Sequence, residues 1–199
     1  MKGEEILQET PILVNKEREL TGYIAGVPAH MIPKHYRKIG QHKLNEVWIL
    51  DDNSKVLAGT FDDDYFNVKN RTVFKTGNNA EIQIPGAKKQ VQISNTDTVK
   101  GAEREGLALL VYTALINDGF AVISDGAQYL GGKRIWESIA RTHNVKIWDN
   151  NTQDYLRDNN NNVIDYDGTN IDDSGIWNTY NNANKIILLC LWLTRGDLR

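Results

Sequence analysis

Two small residues at the start of a helical pattern, Gly106 and Ala108, are the first candidates for binding chemistry in this chain. Apolar residues recur there at i, i+3, i+4, i+7 and i+8, which is typical of a helix with one buried face: Leu107, Leu110, Val111, Ala114 and Leu115. The N–H groups of a first helical turn lack acceptors within the helix and lie at its positive end. Small side chains leave these groups accessible, so the segment predicts an anion site suited to a pyrophosphate.

The elements after this helix follow a regular order of strands and helices. Gly119 ends the helix, and Phe120–Ser124 is a short apolar run typical of a buried strand. Lys133–Arg141 has the spacing of a second helix, and Val145–Trp148 is the next predicted strand. This alternation predicts an α/β or α+β fold in which helices cover a sheet.

The N-terminal half carries mostly strand patterns. The predicted strands are Leu20–Val27, Val47–Leu50, Val56–Thr60, Arg71–Lys75, Ala80–Ile84 and Val91–Ile93. Turn residues at Asp51–Ser54 predict that the second and third of these strands form a hairpin, and Gly77–Asn79 predicts another between the fourth and fifth. The basic segment Ile32–Leu44 is predicted to form a short helix or loop over one end of the sheet.

The segment Val99–Trp148 resembles the cofactor-binding half of the GNAT superfamily of acyl-CoA-dependent N-acyltransferases, in its phage and bacterial form. The family's pyrophosphate loop has the pattern (Gln/Arg)-x-x-Gly-x-(Gly/Ala), and Glu103–Ala108 fits every position except the first. Ile123–Asp125 followed by Gly131–Trp136 is similar to phage-type members in which a strand ends in Ser-Asp before a Gly-Gly-x-x-x-Trp helix.

The resemblance implies an α+β fold with a mixed, mostly antiparallel central sheet flanked by helices, in a single domain over residues 1–199. Residues 1–98 would supply the N-terminal strands and the acceptor side, and 99–148 the acyl-CoA-binding core. Residues 149–184 would be an Asn/Asp-rich insertion, and 185–195 the final strand. Within the insertion, Tyr155–Arg157 and Val163–Tyr166 are predicted to form a surface hairpin.

A GNAT-like chain would transfer an acyl group, in the simplest case acetyl from acetyl-CoA, to an amine. The residues implied to contact the acyl-CoA are Val99, Arg104, Gly106, Leu107, Ala108 and Trp136. In the family, a backbone N–H on the strand before the phosphate loop stabilises the oxyanion, and a tyrosine on the second helix protonates the thiolate. Trp136 fills that tyrosine position here, so the candidate catalytic residues are Asp125, Ser124, Tyr129 and Asp97.

Two functions of different class fit these residues. The first is an N-acyltransferase acting on an amine of a small molecule, a protein or a nucleobase. The second is a catalytically inactive GNAT-like binding protein, encoded by a bacteriophage and acting on a host protein. Glu103 and Trp136 favour the second function, whereas the Gly106-x-Ala108 turn favours the enzyme. A phage structural accessory protein is a third hypothesis, and a dimer is a candidate assembly.

Composition limits the class of protein. With 199 residues, 40% of them hydrophobic, and a formal net charge of −3, the chain predicts one core and argues against nucleic-acid binding through a large positive field. Cys190 is the one cysteine and no secretory leader pattern is present, so a cytoplasmic location is expected, in the host cytoplasm for a phage protein. The apolar run 186–193 is too short to cross a bilayer. The histidines lack metal-site spacing and Asp158–Asn162 lacks the glycine and glutamate of a calcium loop, so no metal is expected.

Overall fold

The computed structural model describes residues 12–14, 22–75, 80, 82–125, 127–149, 151–171, 177 and 185–189. The α-helices among them are α1 (Ile32–His35), α2 (Leu107–Asn117) and α3 (Leu130–Ala140). The described strands are β1 (Ile12–Val14), β2 (Val27–Pro28), β3 (Tyr36–His42), β4 (Asn45–Leu50), β5 (Lys55–Phe61), β6 (Tyr65–Lys75), β7 (Gln90–Thr98), β8 (Ala121–Ile123), β9 (Ala127–Tyr129), β10 (Val145–Asp149), β11 (Asp154–Tyr155), β12 (Asp165–Tyr166) and β13 (Lys185–Leu189). Short 3-10 helices cover Ala29–Met31 and Glu103–Glu105.

Eleven of the described strands form one sheet, and the fold is α+β with a mixed, mostly antiparallel sheet, as predicted. The main path runs β11-β10-β13-β8-β7-β6-β5-β4-β3, while β12 pairs with β10 and β2 pairs with β6. From β3 to β7 each strand pairs antiparallel with the next. β7 and β8 instead run parallel and are connected through α2, because a parallel pair requires a crossover connection. β1 and β9 form a second, two-stranded parallel sheet.

Helices α2 and α3 pack on one face of the large sheet, called the helix face below. Their residues Val111, Leu115, Trp136 and Ile139 are buried. They share one core with strand residues Val47, Ile49, Val56, Ala58, Phe74, Val91, Val122 and Ile147. Fully burying a large apolar side chain contributes about 1.5–3 kcal/mol, so this core holds α2 firmly in position over the middle of the sheet.

The opposite face of the sheet, called the far face, carries two separate apolar clusters. One lies over β8 and β10 and contains Ile82, Ile84, Ala121, Ile123 and Trp148. The other lies over β5 and β6 and contains Ile24, Ile32, Leu57, Phe66 and Val68. Since β7 and part of β6 lie between β8 and β5 in the sheet order, the far face is divided by the side chains of these two strands.

A β-bulge in β6 changes which face its side chains reach. Val68 pairs with Gly59 and Asn70 pairs with Ala58, so Lys69 is an extra residue on this strand. A bulge shifts the two-residue alternation by one position. Val68 therefore reaches the far face, whereas Asn70 reaches the helix face.

The close approach of two backbones fixes this bulge. A Cβ on Gly59 would lie 2.0 Å from the carbonyl oxygen of Asn67, so a side chain there requires the backbone to move. β7 contains a second bulge at Ser94, beyond which Thr96 and Thr98 reach the helix face. Together the two bulges bring polar side chains to both faces near the end of β7.

Several elements are confirmed where the local pattern was strong. The predicted helix after Gly106 is α2, and Gly119 follows its end with a φ of 86°. The predicted strands Phe120–Ser124 and Val145–Trp148 are β8 and β10, and the hairpin at Asp51–Ser54 joins β4 to β5. The second helix, α3, begins at Leu130 rather than Lys133.

Described elements coincide with two strand predictions in the C-terminal part. The predicted strand 185–195 begins with β13, and its continuation from residue 190 lies outside the described residues. In the insertion, Arg157 bridges to Val163 and the flanking strands β11 and β12 both pair with β10. The Asp158 carboxylate accepts hydrogen bonds at 2.8 Å from the N–H groups of Asn160 and Asn162, which shapes the polar turn of this surface hairpin.

Two predictions for the N-terminal half are wrong for most of their residues. The short helix predicted within Ile32–Leu44 is present as α1, but Tyr36–His42 is the edge strand β3. An edge strand exposed on one side tolerates polar residues, so its pattern does not alternate. Leu20–Val27 forms no long strand within its described residues: Val27 pairs in β2, and Ile24 is buried without pairing. Its apolar residues pack on the far face of the sheet and do not belong to a long strand.

The predicted hairpin between Arg71–Lys75 and Ala80–Ile84 is also wrong, and its turn at Gly77–Asn79 lies outside the described residues. β6 pairs with β7 instead. The segment of Ile82 and Ile84 is buried without being a strand because the Gln90 side chain replaces a partner strand. Its amide oxygen accepts a hydrogen bond from the Ile84 N–H at 2.9 Å, and its amide nitrogen donates to the Ile82 carbonyl at 2.7 Å.

Candidate functional site

The turn between β7 and α2, residues 99–106, is built by backbone hydrogen bonds. The Val99 N–H donates to the Lys69 carbonyl at 2.9 Å, and the Ala102 N–H donates to the Val99 carbonyl at 3.0 Å. Gly106 then takes a left-handed conformation, with φ 66° and ψ 26°, as the N-cap of α2. Residues other than glycine and asparagine rarely adopt this conformation. This β7–α2 turn is therefore specified by its own sequence.

The N-terminus of α2 is open. Within the described residues no side chain caps it, and a Cβ on Gly106 would meet no atom within 4 Å. The N–H groups of a first helical turn have no acceptor inside the helix. Ala108 is half-buried in this first helical turn, and the exposed cations Lys100 and Arg104 precede it in the β7–α2 turn. The positive end of the helix dipole lies at the same place.

The two acidic side chains of the β7–α2 turn are each held by other groups. The Glu103 carboxylate accepts a hydrogen bond at 2.7 Å from the Gly101 N–H. The Glu105 carboxylate accepts one at 2.9 Å from the Lys69 ammonium and one at 2.8 Å from the Asn45 amide. Lys69 is the extra residue of the β6 bulge, so the bulge supplies the cation that pairs with Glu105.

These contacts make the stability of the turn depend on pH. The Lys69 ammonium, followed by the Asn45 amide, lowers the pKa of Glu105 below its ordinary value of 4.5. A carboxylate with a lowered folded-state pKa stabilises the fold at pH values above its unfolded pKa and loses that contribution as pH falls through the folded pKa.

A Glu105→Gln variant is therefore expected to unfold more easily than the wild type at pH 7, by under about 1 kcal/mol because the pair is partly exposed. The difference should shrink at pH 4 and below. Urea unfolding of both proteins at several pH values measures it, and a difference independent of pH would contradict the assigned pairing. Lys69→Met, which removes the cation, should show the same pH trend.

Some of the residues predicted to contact an acyl-CoA have side chains that a ligand cannot reach. Gly106, Ala108 and Arg104 lie at the open surface of the β7–α2 turn. Leu107 is 2% exposed and belongs to the helix-face core, so only its backbone is available. Val99 is half-buried against the far-face cluster over β5 and β6.

Trp136 lies in the helix-face core and not at the β7–α2 turn, which corrects the prediction that it contacts the acyl-CoA. Its exposure is 0%, and its ring packs 5.7 Å from that of Tyr112 in the helix-face core. Among the described residues its indole nitrogen has no hydrogen-bond acceptor. A side chain enclosed in this way has no surface for a ligand, so Trp136 is a core residue and not a cofactor contact.

The ladder between β7 and its parallel partner β8 ends before β7 does. β8 pairs with β7 at Gln90↔Ala121, Val91↔Val122 and Gln92↔Ile123. The described ladder ends there, while β7 continues to Thr98 and leads into the β7–α2 turn. Crevices at the carboxyl ends of parallel strands are where open α/β sheets bind ligands. The unpaired part of β7 thus runs from the end of this ladder to the turn that enters the open terminus of α2.

The four candidate catalytic residues fall into two groups. Asp97 and Asp125 lie on the far face, where Asp97 pairs with Arg71 at 3.0 Å and Asp125 with Lys75 at 3.6 Å. Ser124, directly after β8, is 2% exposed. Tyr129 is in β9, where its backbone pairs with β1 next to the start of α3. Both aspartates thus pair with cations of β6, which lie four residues apart on that strand.

Sequence reasoning missed a group of buried polar residues on the helix face. Asn70 and Thr72 have 0% exposure, and the Asn70 amide donates to the Thr98 hydroxyl at 3.0 Å. Thr72 lies 3.3 Å from Thr96, hydroxyl to hydroxyl. These bonds fix the end of β7 that enters the turn. The signal was that Asn70 and Thr72 alternate between the apolar ends of β6, but the bulge at Lys69 hides which face they reach.

The comparisons with known proteins give no relative for this chain: no family model matches, and neither a curated protein nor a solved structure matches. In the part of the chain that the structure describes, no helix is long and apolar enough to cross a membrane. Nor does that part contain a group of three or more His, Cys, Asp or Glu side chains arranged to hold a metal ion.

Proposed function

We propose that the protein is a GNAT-like N-acyltransferase that uses acetyl-CoA or another acyl-CoA. The observation that carries the proposal is the open, uncapped N-terminus of α2, entered through Gly106 in a left-handed conformation. Both acidic residues of the turn are held by other groups, which lessens the repulsion that a pyrophosphate would otherwise meet. The N–H groups of Leu107 and Ala108 and the guanidinium of Arg104 would hold the phosphates.

The order of elements supports the same assignment. The strand β7 leads through the turn into α2, and α2 returns the chain to the parallel strand β8. An extended thioester arm that starts at the helix terminus would run along β7 toward the end of its ladder with β8. Backbone N–H groups at this point are the donors that an acyl carbonyl oxygen requires.

The bound acyl-CoA would supply an activated acyl carbon. The acceptor ammonium loses one proton to become a nucleophile, and its nitrogen forms a bond to the acyl carbon while the carbon–sulfur bond breaks. The second proton goes to the sulfur, so the products are an amide, a free thiol and one proton released to solvent. Asp97 follows the last ladder residue of β7 by five residues and Asp125 follows that of β8 by two, and these carboxylates are the candidates for taking the first proton.

The second candidate function, a GNAT-like binding protein without catalysis, is favoured by one observation. The position at which the family places its proton-donating tyrosine is Trp136, whose indole cannot give up a proton at neutral pH. Under this alternative the chain would be a phage factor acting on a host protein. This alternative is compatible with either presence or absence of cofactor binding. It predicts that no thiol is released in the presence of amines.

Calorimetry with a matched ligand series tests the proposal. Acetyl-CoA and CoA are expected to bind the purified protein with micromolar Kd values. S-acetyl-pantetheine, which keeps the thioester but lacks the pyrophosphate and nucleotide, should bind about a hundredfold more weakly, because it forgoes the charge-assisted contacts at α2. No binding of acetyl-CoA at millimolar concentration would overturn the proposal. Binding without thiol release would transfer support to the second function.

A further inference from the structure

The far face carries a strip of polar side chains between its two apolar clusters. The strip consists of Arg71 and Lys75 on β6, Gln92, Asn95 and Asp97 on β7, and Asp125 after β8. Cross-strand pairing places these side chains on the same face of the sheet. Arg71 pairs with Leu57, which belongs to a far-face cluster, and Asp97 pairs with Arg71.

The contacts within the strip concentrate on Asp97. Its side chain is 9% exposed, and the Arg71 guanidinium donates to its carboxylate at 3.0 Å while itself remaining 44% exposed. The Asn95 amide donates to the same carboxylate oxygen at 2.8 Å. A nearly buried carboxylate beneath an accessible guanidinium is a fixed pair of opposite charges, with the cation on the solvent side.

We propose that this pair, Arg71 and Asp97, binds a free α-amino acid as the acyl acceptor. The inference rests on the acyl transfer proposed above and names its substrate class. An α-amino acid carries an ammonium and a carboxylate on neighbouring atoms. When it binds between the two members of an ion pair, each member gains a new partner of opposite charge. The acceptor carboxylate binds the Arg71 guanidinium, and its ammonium binds the Asp97 carboxylate.

The position of the strip agrees with this role. Asp97 is in the part of β7 beyond its ladder with β8, and the β7–α2 turn follows directly after Thr98. In the proposed function the acyl-CoA would bind at the N-terminus of α2, which packs on the helix face, whereas the strip lies on the far face. Beyond Gln92 no described strand pairs with β7 on the side of β8, so an amine held at Asp97 would meet the acyl group along this unpaired part of β7.

The other acceptor classes lack one of the two charges. A peptide N-terminus has the ammonium but an amide in place of the neighbouring carboxylate. A nucleobase amine is neutral, so Arg71 and Asp97 would stay paired with each other and gain no charged partner from it. A free amino acid supplies both charges and is therefore expected to bind the strip better than either of these acceptors.

Thiol release from acetyl-CoA is the test, with L-amino acids compared against their own C-terminal amides. The amides keep the amine and the side chain but remove the carboxylate. At least one amino acid is expected to show a kcat/KM at least about tenfold above that of its amide, since the Arg71 contact is only partly shielded from solvent. Arg71→Met should abolish this preference, and Arg71→Lys should retain part of it.

A second variant and a control separate binding from stability. Asp97→Asn should lower kcat/KM for the amino acid and for its amide alike, because both use the ammonium contact. Arg37→Met, which breaks the pair between Arg37 and Asp118 at the far end of α2, should leave the preference unchanged. All variants should bind acetyl-CoA with the wild-type Kd in calorimetry.

The outcomes distinguish the two proposals. Failure of the wild type to bind acetyl-CoA overturns the acyltransferase and the acceptor assignment together. Normal acetyl-CoA binding with equal rates on amino acids and amides, with no turnover of either, or with a preference that survives Arg71→Met, overturns the acceptor assignment alone. Faster turnover of a peptide N-terminus than of any free amino acid would do the same.

Discussion

Trp136→Ala is expected to lower the free energy of unfolding by about 3–5 kcal/mol, the range for removing a large aromatic side chain from a packed core. Trp136 has 0% exposure and contacts the ring of Tyr112 between α2 and α3. Its loss leaves a cavity that the sheet behind it cannot fill. Urea unfolding followed by circular dichroism measures the change.

Trp136→Phe is the matched control for this prediction. Phenylalanine keeps most of the apolar contact and removes an indole N–H that has no acceptor among the described residues. Removing a buried, unpaired donor offsets part of the lost packing, so the expected cost is under about 2 kcal/mol. The acetyl-CoA Kd of Trp136→Phe should equal that of the wild type. A tenfold weaker Kd at unchanged stability would restore Trp136 as a cofactor contact.

The parts of the fold that were predictable are those specified by neighbouring residues. Helix α2 combines a left-handed glycine, an apolar stripe and a closing glycine, and each of these signals acts within a few residues. The strands β8 and β10 are short apolar runs because both faces of the sheet are covered there. The same local logic made the entry of the β7–α2 turn into α2 predictable, since it depends on Gly106. The bonds of this turn to Lys69 and Asn45 come from distant strands and were not predictable.

The wrong predictions arise where distant partners decide the structure. Ile82 and Ile84 look like a strand because they are buried, yet their hydrogen bonds come from the Gln90 side chain. The edge strand β3 pairs on one side with β4 and carries few apolar residues. Its sequence therefore lacks the alternation of apolar and polar residues that predicts a strand. Burial and ladder pairing are separate properties, and an apolar pattern reports only burial.

The polar strip was not predictable because two bulges determine it. Without the extra residue Lys69, Asn70 and Thr72 would share the face of Phe66 and Val68. With it, they turn to the helix face and Arg71 turns to the far face. The bulge depends on Gly59 and its approach to a neighbouring strand, which no local pattern reveals. Asp97 was a candidate from the sequence, but its pairing with Arg71 required the register of β6 and β7.

Ala108→Glu is expected to weaken acetyl-CoA binding by at least about tenfold relative to Ala108→Gln, which corresponds to about 1.4 kcal/mol. Ala108 lies in the first turn of α2 and is half-buried at the open helix terminus. A carboxylate there repels the phosphates, while glutamine adds nearly the same volume without charge. The comparison therefore isolates the electrostatic part of the site.

Of this pair of variants, Ala108→Glu should bind acetyl-CoA more weakly but be at least as stable as Ala108→Gln. A carboxylate in the first turn of a helix favours the helix by about 0.3–1 kcal/mol, so Ala108→Glu should melt no lower than Ala108→Gln. Loss of binding cannot then be attributed to unfolding. The difference in Kd should also shrink as salt rises, because the repulsion is screened at this partly exposed position. Equal Kd values for the two variants at low salt would mean that no phosphate binds at the N-terminus of α2, and the proposed function would lose the observation on which it depends.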